Sequence, residues 1–339
     1  MGMDSEVTDG AGEVPQSMTA VVQRAYGDSE VLVTGRIAVP TPGAKEVLVR
    51  VQAAGLDRGV WHLMAGRPLL VRPFTGLRRP RRQVPGLDLA GTVVAVGDRV
   101  TEFAVGDAVY GVGQGSCAEY AVAAAVKLAP KPAGLSYTQA AAVPVSALTA
   151  LQGLHDVGRV AAGQRVLITG ASGGVGTFAV QIAVASGAEV MGVCSAAKAD
   201  LVRSLGAAHT IDYAAGDITA GPRRYDLVLD LAGNNSLGRM RRVLTPRGTL
   251  VVAGGEGGGD ITGGIGRQLR ALLLSPFTRQ RLTMLISAEK GADIRRLTEL
   301  IDAGNVAPAL DRTFPLAGAA AAMRHLESGA VRGKVVITM

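Results

Sequence analysis

The strongest chemical signal in the chain is one run of eleven residues, Val166-Leu167-Ile168-Thr169-Gly170-Ala171-Ser172-Gly173-Gly174-Val175-Gly176. An apolar strand-like segment enters a glycine cluster, and a helix-forming segment, Gly176 to Ser186, leaves it. A side chain in that turn would keep the backbone away from a pyrophosphate. The helix that follows would offer free N–H groups and a positive dipole end to the phosphates. A lone glycine run marks only a tight turn, but strand, loop and helix in this order are what a dinucleotide motif demands. Gly170, Ala171, Ser172, Gly173, Gly174, Val175 and Gly176 are therefore the expected cradle. The end of the next strand selects the cofactor, because an acidic residue there would bond the ribose 2′-OH. That edge falls at Cys194-Ser195, with Lys198 just beyond and no Asp or Glu beside it; Asp200 should lie inside the helix. A small hydroxyl and a cation, Ser195 and Lys198, suit a 2′-phosphate, so NADPH is expected over NADH. The alternative is a Lys198 that is merely solvated.

The elements that must position this loop alternate. Arg165–Thr169, Glu189–Cys194, His209–Asp212, Asp226–Leu231 and Thr249–Ala253 read as strands, with Met284–Ile286 closing the series. Helices at Gly176–Ser186 and Ala197–Leu205 separate the first of them, and such alternation means a parallel sheet with crossover helices. From Thr19 to about Val126 the pattern is different. Short β-branched segments such as Glu46–Val51, Gly91–Val96, Ala108–Tyr110 and Ala118–Val122 lie between Gly, Pro and Asp, as in a compact antiparallel β unit. Arg67 to Pro85, rich in Pro, Gly and Arg, reads as a loop. Asp293–Asp302 reads as a helix, and Lys334–Thr338 as a final strand that rejoins the first unit.

Composition narrows the classes. The chain has 339 residues, enough for two domains, and 48% are hydrophobic. Aromatics make up 4%, too few for a base-stacking nucleic-acid binder, although the net charge of +7 attracts anions. Cys117 and Cys194 form no disulfide framework or Cys/His cluster, and His62, His155, His209 and His325 are scattered. No apolar stretch is long enough to insert stably in a membrane. Residues 1–17 lack the features of a signal peptide and read as a disordered leader, so the cytoplasm is the expected location.

With further segments the chain resembles the medium-chain dehydrogenase/reductase superfamily, in its zinc-independent, quinone oxidoreductase-like branch. The segments are Ala53-Ala54-Gly55-Leu56-Asp57, Pro85-Gly86-Leu87-Asp88-Leu89-Ala90-Gly91, Val105-Gly106-Asp107, Ala141 to Pro144 with Leu148-Thr149-Ala150, the glycine loop, and Arg332-Gly333-Lys334. The resemblance implies an α/β protein: a GroES-like catalytic domain over residues 18–140 and 288–339, and a Rossmann doubly wound parallel sheet over 141–287. It also implies an active site in the cleft between them, and a homodimer formed along a strand near Arg281–Ser287.

Relatives that use zinc bind it through a Cys and a His-Glu pair; here those places hold Asp57 and Leu87-Asp88. No metal is expected, because a zinc site needs three or four close N, S or O donors. Without that Lewis acid, the substrates left are quinones and α,β-unsaturated carbonyls, whose developing oxyanion needs a hydrogen-bond donor.

The resemblance also supplies candidate roles. Asp57 stands where the family usually has Asn, so it can accept hydrogen bonds but not donate them when ionised; it reads equally as a helix N-cap. His62 could donate a proton or orient substrate, or simply pack. Trp61 lines the pocket or fills core. Thr149 matches a threonine that approaches the nicotinamide. Lys198 and Tyr213 match positions that grip a 2′-phosphate. Gly233 and Gly254 should lie beside the riboses, and Lys334 either faces the cofactor or lies on the surface. Arg78-Arg79-Pro80-Arg81-Arg82 reads as a solvated loop or as a site for RNA, acidic lipid or an anionic substrate, and Arg267 to Arg281 as a helix packed on the dimer or the cleft or as an amphipathic lid touching membrane-borne quinone. The leading function is an NADPH-dependent, zinc-free reductase of a quinone or enone. Its rivals are a dedicated biosynthetic enoyl or alkenal reductase, and a non-catalytic NADPH-binding sensor or RNA-binding protein.

Overall fold

The computed structural model describes residues 14–219, 222–255 and 259–339. The leader expected over 1–17 falls outside them up to residue 13, and at its other end Ser17 already pairs with Ala38. Strands β1 (Ser17–Gln23) and β2 (Leu32–Ala38) form a hairpin. The main β sheet of the first unit uses β3 (Glu46–Leu56), β4 (Asp88–Val96), β5 (Ala108–Val112), β6 (Tyr120–Ala124) and β7 (Leu128–Pro130). The second sheet holds β8 (Arg165–Thr169), β9 (Glu189–Cys194), β10 (His209–Asp212), β11 (Tyr225–Asp230), β12 (Leu244–Val252) and β13 (Arg281–Met284). The last two strands, β14 (Leu310–Pro315) and β15 (Lys334–Thr338), return to the first sheet, where β15 pairs antiparallel with β3. The expectation that the tail rejoins the first unit is met.

The helices, in chain order, are α1 (Arg58–Ala65), α2 (Arg72–Thr75), α3 (Tyr137–Ala141), α4 (Pro144–Leu151), α5 (Gly174–Ala185), α6 (Ala199–Ser204), α7 (Leu237–Val243), α8 (Gly259–Thr262), α9 (Ile265–Leu274), α10 (Gly291–Asp302) and α11 (Ala319–Glu327).

The second sheet is wholly parallel with order β10-β9-β8-β11-β12-β13. This is the doubly wound arrangement whose order reverses beside its first strand, β8, and the reversal opens a crevice at the carboxyl ends of β8 and β11. Its inner strands are mostly apolar where both faces are covered, as in Val166–Ile168 of β8 and Leu227–Leu229 of β11, whereas the edge strand β10 is polar and partly exposed. Val166, Leu167 and Ile168 are fully buried, as are Phe178 and Ala179 of α5. One core cluster runs from α4 and α5 through β8 and β11 to Val112 and Ala53 of the first sheet, so the two units share packing beneath the crevice.

Local departures from the sequence reading have local causes. Arg67–Pro85 is not a plain loop: a 3-10 turn at Leu69–Val71 leads into α2, whose first turn accepts Pro73. The helix expected at Ala197–Leu205 begins as a 3-10 turn over Ala196–Lys198 and becomes α-helical only at Ala199. The basic segment from Arg267 is helix α9, a 3-10 turn and edge strand β13 in succession; α9 buries Ala271, while Leu269, Leu272, Leu273 and Leu274 are exposed within this chain.

Candidate active site

The glycine run forms the turn its residues require. Gly170 has φ +68°, a left-handed conformation open to glycine at little cost. A Cβ on Gly176 would lie 2.1 Å from the Gly170 carbonyl oxygen, so this glycine lets α5 close against the turn. Gly173 is the N-cap of α5 and no side chain caps that end. Gly173, Gly174 and Val175 are partly exposed, while Ala171 and Ser172 are buried. The positive end of a twelve-residue helix is thus uncapped and partly exposed, the arrangement that suits an anion.

Three further glycine contacts define the rest of that edge. A Cβ on Gly254 would sit 1.7 Å from the Leu231 carbonyl oxygen, and one on Gly233 would meet Gly254 and Gly255 at 2.7 Å. Gly233 and Gly254 therefore sit side by side beyond the ends of β11 and β12, next to Gly170, as their sequence positions imply. Asp230, fully buried at the end of β11, braces this edge. It accepts from Thr169 Oγ1 at 2.6 Å and from the Gly233 N–H at 3.2 Å, and it is ion-paired with Arg267. Arg267 also donates to the Asn235 carbonyl at 2.9 Å. Sequence reasoning gave Asp230 and Arg267 no role here. The available signal was an acid closing an apolar strand, which burial forces to find a partner.

At the other end, Tyr213 N–H reaches the Cys194 carbonyl at 3.3 Å and places Tyr213, an exposed ring, next to Ser195. Lys198 Nζ donates to the carbonyls of Gly329 (2.6 Å) and Val331 (2.9 Å), and burial lowers its pKa. It is tethered, then, and not merely solvated. Arg332 joins the same region, its Nη2 donating to both Asp200 carboxylate oxygens at 2.9 and 2.7 Å.

The segment Arg332-Gly333-Lys334 ties the two units together. Gly333 N–H donates to the Ser172 carbonyl of the glycine loop at 2.9 Å. Lys334 is not on the surface, which removes that alternative: it is 1% exposed. Its Nζ donates to Ser146 Oγ at 2.9 Å and to Asp88 Oδ2 at 3.2 Å, and its Cδ would lie 3.0 Å from a Cβ on Gly174. A buried ammonium thus sits directly behind the open helix end. Asp88 is fully buried, and its other oxygen accepts from the Val145 N–H at 2.8 Å, capping α4 from outside the helix. Burial pushes the Asp88 carboxyl up to about 7; Lys334 pulls against that rise and the charge of Asp57 adds to it. Ser146 and Asp88 were not foreseen as a site. Asp88 interrupting Leu87-Leu89-Ala90, and Lys334 opening Val335-Val336-Ile337, were the signals: opposite charges in two strands built to be buried.

The β3–β15 register pairs Leu56 with Val335 and so carries Asp57 to the Lys334 end of the cleft. The two carboxylate oxygens of Asp57 are placed differently. Oδ1 caps α1, accepting from the Val60 N–H at 3.1 Å, whereas Oδ2 is buried with no partner among the described residues. Thr149 lies on α4, one turn beyond Val145, and its hydroxyl donates to the Val145 carbonyl at 2.7 Å. His62 Nδ1 is 3.1 Å from the Arg67 carbonyl, so that nitrogen carries the hydrogen. Trp61 packs against a separate apolar cluster of the first unit, around Val60, Met64 and Met323: its Nε1 donates to Glu327 of α11 at 2.6 Å, and Arg58 stacks on its ring. The structure therefore gathers Asp57, Asp88, Ser146 and Lys334 behind the glycine loop and sends Trp61 elsewhere. Among the described residues, no three His, Cys, Asp or Glu side chains are grouped to hold a metal ion. Among the same residues, no helix is long and apolar enough to cross a membrane.

Comparison with known proteins agrees with this architecture. Residues 43–133 match the family described as alcohol dehydrogenase GroES-like domain, and residues 205–337 the one described as zinc-binding dehydrogenase. A chloroplastic quinone-oxidoreductase of Triphysaria versicolor is 31% identical, over 94% of this chain and 98% of its own. A chloroplastic NADPH-dependent alkenal/one oxidoreductase of Arabidopsis thaliana is 32% identical over 96% and 80%. The structure of the quinone oxidoreductase from Coxiella burnetii superposes with a TM-score of 0.84 at 27% identity, covering 95% of this chain and 99% of that one. The chain belongs to the medium-chain dehydrogenase/reductase superfamily, in its quinone oxidoreductase-like branch.

Proposed function

We propose that the protein is a zinc-free, NADPH-dependent reductase of quinones or α,β-unsaturated carbonyls. The cofactor class, a nicotinamide dinucleotide, comes with the family. The observation that carries the reading is the buried Lys334 beside the uncapped end of α5, positive charge and free backbone donors on one small area. The bound dihydronicotinamide would supply hydride.

In this reading Gly173, Gly174 and Val175 hold the pyrophosphate, and Lys334 balances its charge from behind. Ser195, Lys198 and Tyr213 form the 2′-phosphate end, which favours NADPH. The unpaired Oδ2 of Asp57 accepts from a ribose or substrate hydroxyl. Thr149 and His62 border the reacting region, and His62 is the candidate to deliver a proton to the substrate oxygen. The catalytic unit is residues 18–140 with 288–339, the cofactor unit 141–287, and two cytoplasmic copies pair along β13, the open edge of the second sheet. Zinc chemistry is disfavoured because Asp57, Leu87 and Asp88 replace the usual donors and Asp88 is already committed to Lys334 and Val145.

The test is NADPH oxidation by metal-stripped protein with 1,4-benzoquinone, 9,10-phenanthrenequinone and an enal. Turnover unchanged by chelator is expected. Binding of NADPH with no turnover on any of the three would overturn the reductase reading. A saturated product from an enoyl thioester, with quinones inert, would favour the dedicated biosynthetic reductase.

A further inference from the structure

From Arg58 to Leu87 the chain contains seven arginines and no acidic residue. Most of this stretch is the segment joining α1 to β4, and it is held in shape from behind. Tyr26 Oη donates to the Gly76 carbonyl at 2.7 Å, Arg72 stacks on the Tyr26 ring and donates to the Gly66 carbonyl at 3.0 Å, and Arg81 N–H closes on the Thr75 carbonyl at 2.8 Å. What it holds outward is unusual for a soluble surface. Leu69, Leu70, Phe74 and Leu77 are exposed, Phe74 by 79% and Leu77 by 70%. Arg78, Arg79, Arg81 and Arg82 are exposed beside them. The segment also lies on the seam of the two units: Arg67 pairs with Asp260 of α8 at 2.9 Å, Pro68 packs on Gly263, and α8 presents a further exposed side chain, Ile261.

We propose that this lip, Leu69 to Arg82 with Ile261 opposite, docks the protein on the surface of an anionic lipid bilayer. Exposed apolar side chains and arginines intermixed along one short segment suit the headgroup boundary, where guanidinium groups meet lipid phosphates and the apolar side chains enter the acyl region. Nucleic acid would use the arginines and the Phe74 ring but leave Leu69, Leu70 and Leu77 without a role, since aliphatic groups do not stack on bases. A second copy of the chain meeting this face about a two-fold axis would bring the arginine cluster against itself. Docking here sets the seam between the units against the membrane, the route by which a lipid-soluble quinone would arrive. That last link rests on the reductase reading; the docking itself does not.

The experiment is co-sedimentation of the full chain with phosphatidylcholine vesicles, with and without phosphatidylglycerol, at low and high salt. It compares wild type with Phe74→Ser/Leu77→Ser and with Arg78→Ser/Arg79→Ser/Arg82→Ser. Wild type should pellet with anionic vesicles and not with neutral ones. At about fivefold per arginine near a charged surface, the arginine variant should bind at least tenfold more weakly, as should the apolar variant. Salt should weaken wild type and the apolar variant but move the arginine variant little. Both variants should keep the wild-type melting temperature and turnover with water-soluble benzoquinone. If neither a quinone nor an enal is turned over by any form, the reductase reading fails while the vesicle result still decides the docking. Failure of wild type to pellet, or variants that pellet as wild type does, overturns the proposal. So does tighter binding to a homopolymeric RNA in the same buffer, or a change in oligomeric state caused by the variants.

Discussion

The buried pair Asp88–Lys334 makes a pH-dependent prediction whose sign can be worked out. The Asp88 carboxyl rises from 3.8 to about 7 on folding, chiefly because burial removes it from water. The folded state then binds this proton more tightly than the unfolded state. The stability it contributes is complete below about pH 4 and is lost as pH rises toward about 7, with nothing further lost above. A rise of about three pH units at 1.36 kcal/mol each amounts to about 4 kcal/mol. Most acidic groups in paired surface sites behave oppositely, so the contribution must be isolated by subtraction. The reference is Asp88→Asn/Lys334→Met, which removes both titratable groups. Unfolding in urea, followed by circular dichroism at several pH values from about 5 to about 8, gives the difference between wild type and variant. That difference should shift against wild type by about 1.4 kcal/mol per pH unit below about pH 7 and then level off. A flat difference across the range would mean that Asp88 is ionised throughout in a permanent ion pair, and the reasoning from burial would be wrong.

Other perturbations test separate parts of the site. Lys334→Met should raise the NADPH dissociation constant at least tenfold by calorimetry and lower stability by about 3–5 kcal/mol, since it strands Asp88 in the interior. Lys198→Ala should weaken NADPH about tenfold and NADH hardly at all, a difference of about 1.4 kcal/mol; equal losses for both would remove Lys198 from the 2′-phosphate end. Gly254→Ala should destabilise by several kcal/mol in thermal melts, because its Cβ would lie 1.7 Å from the Leu231 carbonyl oxygen, whereas Gly134→Ala, with nothing within 4 Å, should stay within about 0.5 kcal/mol. Asp57→Asn keeps an oxygen for the α1 cap, so its melting temperature should hold while kcat/KM changes; a large drop in melting temperature would make Asp57 a cap and nothing more.

What the sequence made legible is what neighbouring residues decide. The order of strand, glycine turn and helix at 165–185 is local, and Gly170 and Gly176 are needed by contacts within six residues of themselves. The β11 and β12 ends followed from alternation alone, and Gly233 and Gly254 fell where that alternation put them. The partners of Lys334 lie 246 and 188 residues away, and no periodicity reports a contact at that range. The same holds for Lys198, whose acceptors are carbonyls more than 130 residues on. Yet the charges themselves were visible: Asp88, Asp230 and Lys334 each interrupt or border a run of strand residues destined for the interior. A charge in such a run must be paired or neutralised, because its desolvation far exceeds what one strand position contributes to folding. Asp88 is both paired and pushed toward neutrality; Asp230 gathers a hydroxyl, an N–H and a guanidinium. The two acids sit on different sheets, yet each secures the approach to the glycine loop, Asp88 from behind through Lys334 and Asp230 from the side through Thr169 and Gly233. Their burial is the price of holding a polar crevice open between two packed units, and it explains why the chain's last strand must begin with a lysine that never meets solvent.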